Sequence, residues 1–197
     1  MKTRQNTLYW IFFALILVQT CFFTNEILAQ QPKGIYLSAE DFTSDKLSYL
    51  NFNDKKCKIK VHEFSFHTPI KITCGDSVIH LNKDSVYGYQ DNERRSHRFY
   101  NKSTYEVLNP SENILLYRIM VSGKTKYEEA VFSYYFSKNA FTAVLPLTIN
   151  NVESAFAGNK LFIDFIEVHF KSDADLIEYD PAYKKYKLNR LLELSNK

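Results

Sequence analysis

Residues 127–158 read YEEAVFSYYFSKNAFTAVLPLTINNVESAFAG, and this stretch decides the fold class. Its first half alternates. Ala130, Phe132, Tyr134 and Phe136 share one side of an extended chain, and Phe141, Ala143 and Leu145 share one side of the next segment. A two-residue turn at Lys138-Asn139 sets Phe136 opposite Phe141, Tyr134 opposite Ala143 and Phe132 opposite Leu145. The second half changes period. Pro146 ends the sheet and Thr148 caps a helix, with Leu147 and Val152 placed as a staple across the cap. Ile149, Val152 and Phe156 then line one helical face, and Gly158 stops it.

Working outward, the chain before this stretch reads as strands and the chain after it as helices. Residues 34–37 are extended, and Ser38 caps a helical turn through Phe42 with Asp41 at its third position. Extended segments follow at 46–52, 57–61, 70–74, 77–81, 85–90, 97–101, 105–108 and 114–121. Turns at Gly75-Asp76, residues 82–84, residues 91–93 and Ser122-Gly123 separate several of them. Downstream, residues 161–169 fit a helix opened by Asn159 or Lys160. Ser172 with Asp175 opens a third helix through 179, and Asp180-Pro181 opens a fourth through Leu194. The expected fold class is α+β: an antiparallel, aromatic-rich meander followed by a C-terminal block of three to four short α-helices.

The first 29 residues stand apart. Lys2 and Arg4 precede an unbroken apolar run from Leu8 to Val18, and a polar break leads to Ile27-Leu28-Ala29. That order is the order of a secretory signal peptide, with cleavage after Ala29; a retained membrane anchor is the alternative. Cys21 lacks the lipidation context, because Val18-Gln19-Thr20 precedes it. Residues 30–197 are then one α+β domain, exported to the periplasm, the cell envelope or the medium. Contact with a membrane is expected only through an uncleaved signal segment. Removing Lys2, Arg4 and Glu26 takes 25 bases and 22 acids to 23 and 21, a net charge of +2. So small an excess argues against nucleic acid as a partner.

Cys57 and Cys74 remain in the exported chain. Residues 57, 59 and 61 form one apolar face, and 70, 72 and 74 another. Antiparallel pairing sets Val61 against Ile70, Ile59 against Ile72 and Cys57 against Cys74. Directly opposed cysteines are close enough to bridge, and export permits it. Two buried free thiols are the alternative.

Several segments imitate catalytic motifs. Ser122-Gly123-Lys124-Thr125 ends like a phosphate-binding loop, but Arg118 stands where the first glycine belongs and a strand follows. His62-Glu63 and His67 resemble a zinc helix with the spacing one residue too long. Asp164, Glu167 and His169 miss the Glu-to-His interval of a carboxylate-bridged metal motif, and Glu167 with Lys171 is an ordinary helical ion pair. The acids Asp173, Asp175, Glu178 and Asp180 lack the glycine of a calcium loop. The residues call for no catalytic group, no metal and no cofactor.

One surface invites binding. Tyr87, Tyr89, Arg94, Arg95, Arg98 and Tyr100 interleave aromatics and cations on an expected hairpin. Such a mixture stacks on rings or sugars and holds carboxylate or phosphate. Packing of the aromatics inward, with solvated arginines, is the structural alternative. Gly88 within it marks a bulge or a close backbone approach. Tyr135 faces away from Phe132, Tyr134 and Phe136 and is left for function.

Taken together, Gly34-Ile35-Tyr36-Leu37, Val86-Tyr87-Gly88-Tyr89, Arg98-Phe99-Tyr100, Tyr134-Tyr135-Phe136-Ser137, Pro146-Leu147-Thr148 and Asn189-Arg190-Leu191-Leu192 resemble a group of uncharacterised exported proteins from Bacteroidota. The resemblance implies export and a shared fold, and it carries over no activity and no catalytic residue. The expected function is that of a non-enzymatic envelope or secreted binding or structural module, with an envelope protein or glycan as partner. The alternative is a hydrolase of an envelope polymer that works through carboxylates gathered by the fold.

Overall fold

Alternating side chains sort the β-segments into one large sheet with two differently covered faces. The computed structural model describes residues 34–197 except 53–54, 63–64 and 122–130. The expected signal segment therefore lies outside the described residues, as does Ser122-Gly123-Lys124-Thr125. The described residues belong to one compact unit.

The chain opens with β1 (Gly34–Tyr36) and a short helix α1 (Ala39–Thr43), where the Ser38 hydroxyl accepts from the Asp41 N–H as expected. Segment 46–52 is not a continuous strand. Ser48 bridges Ile35, and only β2 (Asn51–Phe52) is extended, paired to β3 (Lys55–Lys56). Next come β4 (Lys58–Lys60), β5 (Ile70–Cys74) and β6 (Ser77–Leu81), a separate three-stranded antiparallel sheet. Ile59 lies opposite Ile72, the register set by the alternation. Cys57 and Cys74 are joined by a disulfide, with Cα atoms 4.3 Å apart. Gly75 turns β5 into β6 with φ 61°, a conformation that favours glycine.

The large sheet adds β7 (Gly88–Gln90), β8 (Ser96–Tyr100), β9 (Ser103–Val107), β10 (Leu115–Val121), β11 (Val131–Ser137) and β12 (Leu145–Pro146). Its order is β1-β7-β8-β9-β10-β11-β12 and every pairing is antiparallel, a meander with β1 added at one edge. Residues 83–85 form a 3-10 turn, so the segment expected at 85–90 is extended only from Gly88. The two-residue hairpin turn with both centres at positive φ is Asn101-Lys102, joining β8 to β9.

The turn expected at Lys138-Asn139 is absent. Phe136 lies opposite Leu145 instead of Phe141, and residues 138–144 form a wide loop. The reason is local. The Asn139 side chain accepts from the Phe141 N–H and Asn139 also bonds Thr142, so the chain curls on itself before rejoining the sheet. The loop then tucks Ala140 and Val144 against the sheet and leaves Phe141 60% exposed.

The helical block holds α2 (Ile149–Ala155), α3 (Lys160–His169) and α4 (Lys187–Ser195). Thr148 and Asn159 cap the first two through their side chains. Ser172 and Asp175 form the reciprocal capping box over a 3-10 turn, Asp173–Ile177. Asp180-Pro181 does not open a helix. It turns β13 (Tyr179–Asp180) into β14 (Lys185–Tyr186), because the Asp180 carboxylate accepts from the Ala182 N–H and pairs with Arg190. Glu167 and Lys171 do not pair through their charges; the Lys171 Nζ reaches the Glu167 carbonyl instead.

Register then assigns the faces. One face carries Ile35, Tyr89, His97, Phe99, Glu106, Leu116, Arg118, Phe132, Tyr134 and Phe136. The small sheet packs on its Ile35–Tyr89–Phe99 end, and the helices pack on its Leu116–Phe136 end. The opposite face carries Tyr36, Tyr105, Val107, Leu115 and Tyr117, covered by Phe42 of α1 and by the 138–144 loop.

Candidate functional site

Beside Phe66, on the loop between β4 and β5 of the small sheet, lies a groove of about 480 Å³ lined by residues of β8 to β11 and the turns flanking β8. His97 faces Glu106, Glu106 faces Arg118, and Arg118 faces Tyr134, so one row of side chains crosses four strands. Glu106 and Arg118 form a bidentate pair, with Nε to Oε2 at 2.9 Å and Nη2 to Oε1 at 2.8 Å. The hydrogen bond to Glu106 raises the Arg118 pKa above its ordinary value. The Phe132 ring lies 4.5 Å from the Arg118 guanidinium carbon, covering one face of that plane. Phe132 and Met120 are about half exposed, apolar residues at the open side of the row.

Two positioned elements border the floor. The turn before β8 is tied by Asp91, whose carboxylate accepts from the Glu93 and Arg95 N–H groups, from Arg95 Nε and from His97. Burial works against its charge, but the hydrogen bonds led by the Arg95 side chain outweigh it and hold the carboxyl below its usual range. His97 is also stacked flat on Tyr89, with ring centroids 4.5 Å apart. The other border is Phe66, set edge-on to Phe99. Its loop is held from below by buried Lys83, which donates to the carbonyls of His62 and Ser65. At the far end stand Lys102 and Ser103, on and just after the β8–β9 turn.

The expected aromatic–arginine surface is not a surface. Tyr87, Tyr89 and Arg98 are buried, and Tyr100 is half-buried. The arginine alternates with His97 and Phe99, so the same strand pattern that suggested interleaving sends Arg98 into the opposite core. There it donates to Tyr117 Oη at 2.9 Å and to the Thr142 carbonyl at 2.9 Å, beneath the rings of Tyr87 and Tyr100. Burial drives the Tyr87 phenol far up from its ordinary pKa. Arg94 is exposed at φ 62° and serves the turn. Of the six residues only Arg95 borders the groove. Tyr135 is not left free either: it packs edge-on to Tyr105.

Sequence reasoning missed Glu106, Arg118, Phe132, Lys102 and Phe66 as a group. One signal was present. Glu106 and Arg118 each interrupt an apolar strand at a position whose neighbours along the chain are core residues on the other face.

Of the other motifs, His62 and His67 are exposed, and Glu63 lies outside the described residues. No cluster of three or more metal-type ligands exists among the described residues. Asp173 accepts from the Ile149 N–H, a structural role. No described helix is long and apolar enough to cross a membrane. No protein family, curated protein or solved structure matches the chain.

Proposed function

We propose that the protein is an exported, non-enzymatic binding module of the cell envelope or the medium, whose ligand lies in the groove over Glu106 and Arg118. The observation that carries this reading is the state of the floor. Its acid is tied on both oxygens to Arg118, and beside the pair stand solvent-accessible Phe132 and Met120. A planar ion pair flanked by apolar surface orients a bound molecule. His97 is likewise occupied, hydrogen-bonded to Asp91 and stacked on Tyr89.

The test uses an isolated cell-envelope fraction from the producing cells. The protein is expected to co-sediment with it, and Arg118→Glu combined with Phe132→Ser is expected to release it while the far-UV spectrum is unchanged. Co-sedimentation that survives the double substitution overturns the groove as the site. Progressive release of soluble fragments from the envelope by the wild type, lost in Glu106→Gln, selects the hydrolase reading instead.

A further inference from the structure

The groove opens where two strands of the sheet part, which narrows its ligand; the inference rests on the binding reading above. β9 pairs with β10 only at Val107–Tyr117 and Glu106–Arg118, and just beyond them the Leu108 N–H donates to the Leu116 carbonyl. Backbone groups turn to alternate sides along an extended strand. The bond at Leu108 therefore fixes which residues of β9 face β10: Glu106, then Thr104. On β10 they are Arg118, then Met120. β9 stays paired with β8 as far as Ser103, and β10 with β11 as far as Val121, but Thr104 and Met120 are not paired with each other. Each directs an N–H and a carbonyl into the gap, with no partner strand among the described residues. The cavity occupies this gap. Its lining includes Thr104 and Met120 and also their chain neighbours Ser103 and Ile119, on the opposite side of the sheet, because it enters between the strands.

Such edges select a polypeptide over a sugar chain. An added strand takes its affinity from main-chain bonds and its specificity from pockets for alternate side chains. A saccharide has no repeat of N–H and C=O groups at strand spacing to meet Thr104 and Met120. The gap is open over residues 103–105 of β9 and 119–121 of β10, which at about 3.3 Å per residue is roughly 10 Å of extended chain. A strand laid there meets apolar surface on both sides. Phe66, Met120 and Phe132 stand on the groove side, and Val121 and Val131 are exposed on the other. The matching occupant is itself apolar on both faces, as a strand covered on both sides of a sheet is.

We infer that the groove binds an extended, apolar segment of a partner protein, which adds as a short strand to the edges at Thr104 and Met120 and sets one apolar side chain between Phe66 and Phe132. The test is a titration of the disulfide-bonded protein with the blocked peptide acetyl-Thr-Val-Phe-Val-Thr-amide, followed by amide chemical shifts and hydrogen exchange. The amides of Thr104, Met120 and Phe132 are expected to shift, and those of Thr104 and Met120 to gain protection. The same peptide N-methylated at its valines and phenylalanine keeps the side chains and loses the donors, and it is expected to bind at least tenfold more weakly. Met120→Pro removes the N–H that faces the gap while Ile119 and Val121 keep the ladder to β11. It is expected to weaken binding at least tenfold, and Met120→Ala by less. Should the proline variant fail to fold, the methylated peptide decides the matter on the wild type. Equal affinity for the methylated peptide overturns main-chain pairing, and equal shifts from cellotetraose overturn the polypeptide assignment. Self-association of the protein that the peptide reverses overturns the separate partner and makes a second copy the occupant. A peptide that leaves the groove amides unmoved overturns the inference outright. If envelope binding still depends on Arg118 and Phe132 in that case, the groove reading stands and only the ligand class falls.

Discussion

Asn189 of α4 grips both backbone groups of Ile114, accepting from its N–H at Oδ1 and donating from Nδ2 to its carbonyl oxygen, each at 2.8 Å. A side chain thus does what a neighbouring strand would do, 75 residues away in sequence. Asn109 adds a second bond to the same carbonyl and accepts from the Leu116 N–H. The start of β10 is therefore fastened to the helical block by amides that are themselves buried. Asn189→Ala strands the Ile114 N–H in the core. A loss of about 2–3 kcal/mol is expected from urea denaturation, and Asn189→Asp, which cannot donate to the carbonyl, is expected to lose at least as much at neutral pH.

Gly88 is a second fixed point. A Cβ built there would lie 1.9 Å from the His97 carbonyl oxygen, a backbone atom paired across the β7–β8 ladder. Nothing flexible can yield. Gly88→Ala is expected to cost more than about 3 kcal/mol, and to broaden the amide signals of His97 and Arg98 even where the variant still folds.

Arg98 and Tyr87 give opposite predictions from one pocket. Arg98→Lys keeps the charge but cannot fork between Tyr117 Oη and the Thr142 carbonyl, and a loss of about 3 kcal/mol is expected. Tyr87 Oη is buried with no hydrogen-bond partner among the described residues. Removing it in Tyr87→Phe is expected to raise stability by about 1 kcal/mol. Chemical denaturation of the two variants side by side checks both signs.

The fold was legible wherever local chemistry agreed with the alternation. Ser38, Thr148, Asn159 and the Ser172–Asp175 box cap where their side chains predict, and Ile59 meets Ile72 because both sit on the apolar side of short strands. Legibility failed where a side chain redirected the backbone. Asn139 closes a loop on itself, and Asp180 makes a turn although Pro181 follows it as it would at a helix start. The site was less legible than the fold. Interleaved arginine and tyrosine in 87–100 is the same pattern whether the arginine points to water or to a core, and only the covering loop 138–144 decides it. Glu106 and Arg118 lie 12 residues apart and become a pair only once β9 and β10 are in register.

Stability should change with pH through Glu112. Burial raises its carboxyl above the ordinary value of 4.5, and Oε2 has no hydrogen-bond partner among the described residues. The unfolded chain then releases this proton first as pH rises. Stability falls as pH climbs from about 4.5 through the raised folded value, and the penalty is complete above it. Glu112→Gln is expected to remove that slope, leaving the variant more stable than wild type at pH 8 but not at pH 4. Asp91 acts in the other direction and lower down. Its depressed carboxyl contributes stability above its ordinary 3.8 that is lost as pH falls. Denaturation midpoints from pH 3 to pH 8 separate the two.

The Cys57–Cys74 bridge closes a loop of 17 residues in the small sheet. A loop of that size is worth about 3 kcal/mol in the unfolded chain. Cys57→Ser with Cys74→Ser is expected to lose about that amount, read as a shift in urea midpoint at constant slope. The Glu106–Arg118 pair is expected to keep its chemical shifts, because the small sheet that holds the bridge borders the groove at Phe66 and not at this pair.

The buried arginine has a consequence for the order in which the chain can be built. Its donors find acceptors in β10, in β11 and in the 138–144 loop, so pairing β8 with β9 alone leaves a guanidinium half-bonded among tyrosines. An early hairpin of that kind gains little, and the strands become worthwhile only when a loop some 40 residues downstream closes over them. Assembly is pushed toward all-or-none behaviour. Opening the 138–144 loop should then cost nearly as much as unfolding the whole sheet, so its slowest-exchanging amides should exchange with those of β8.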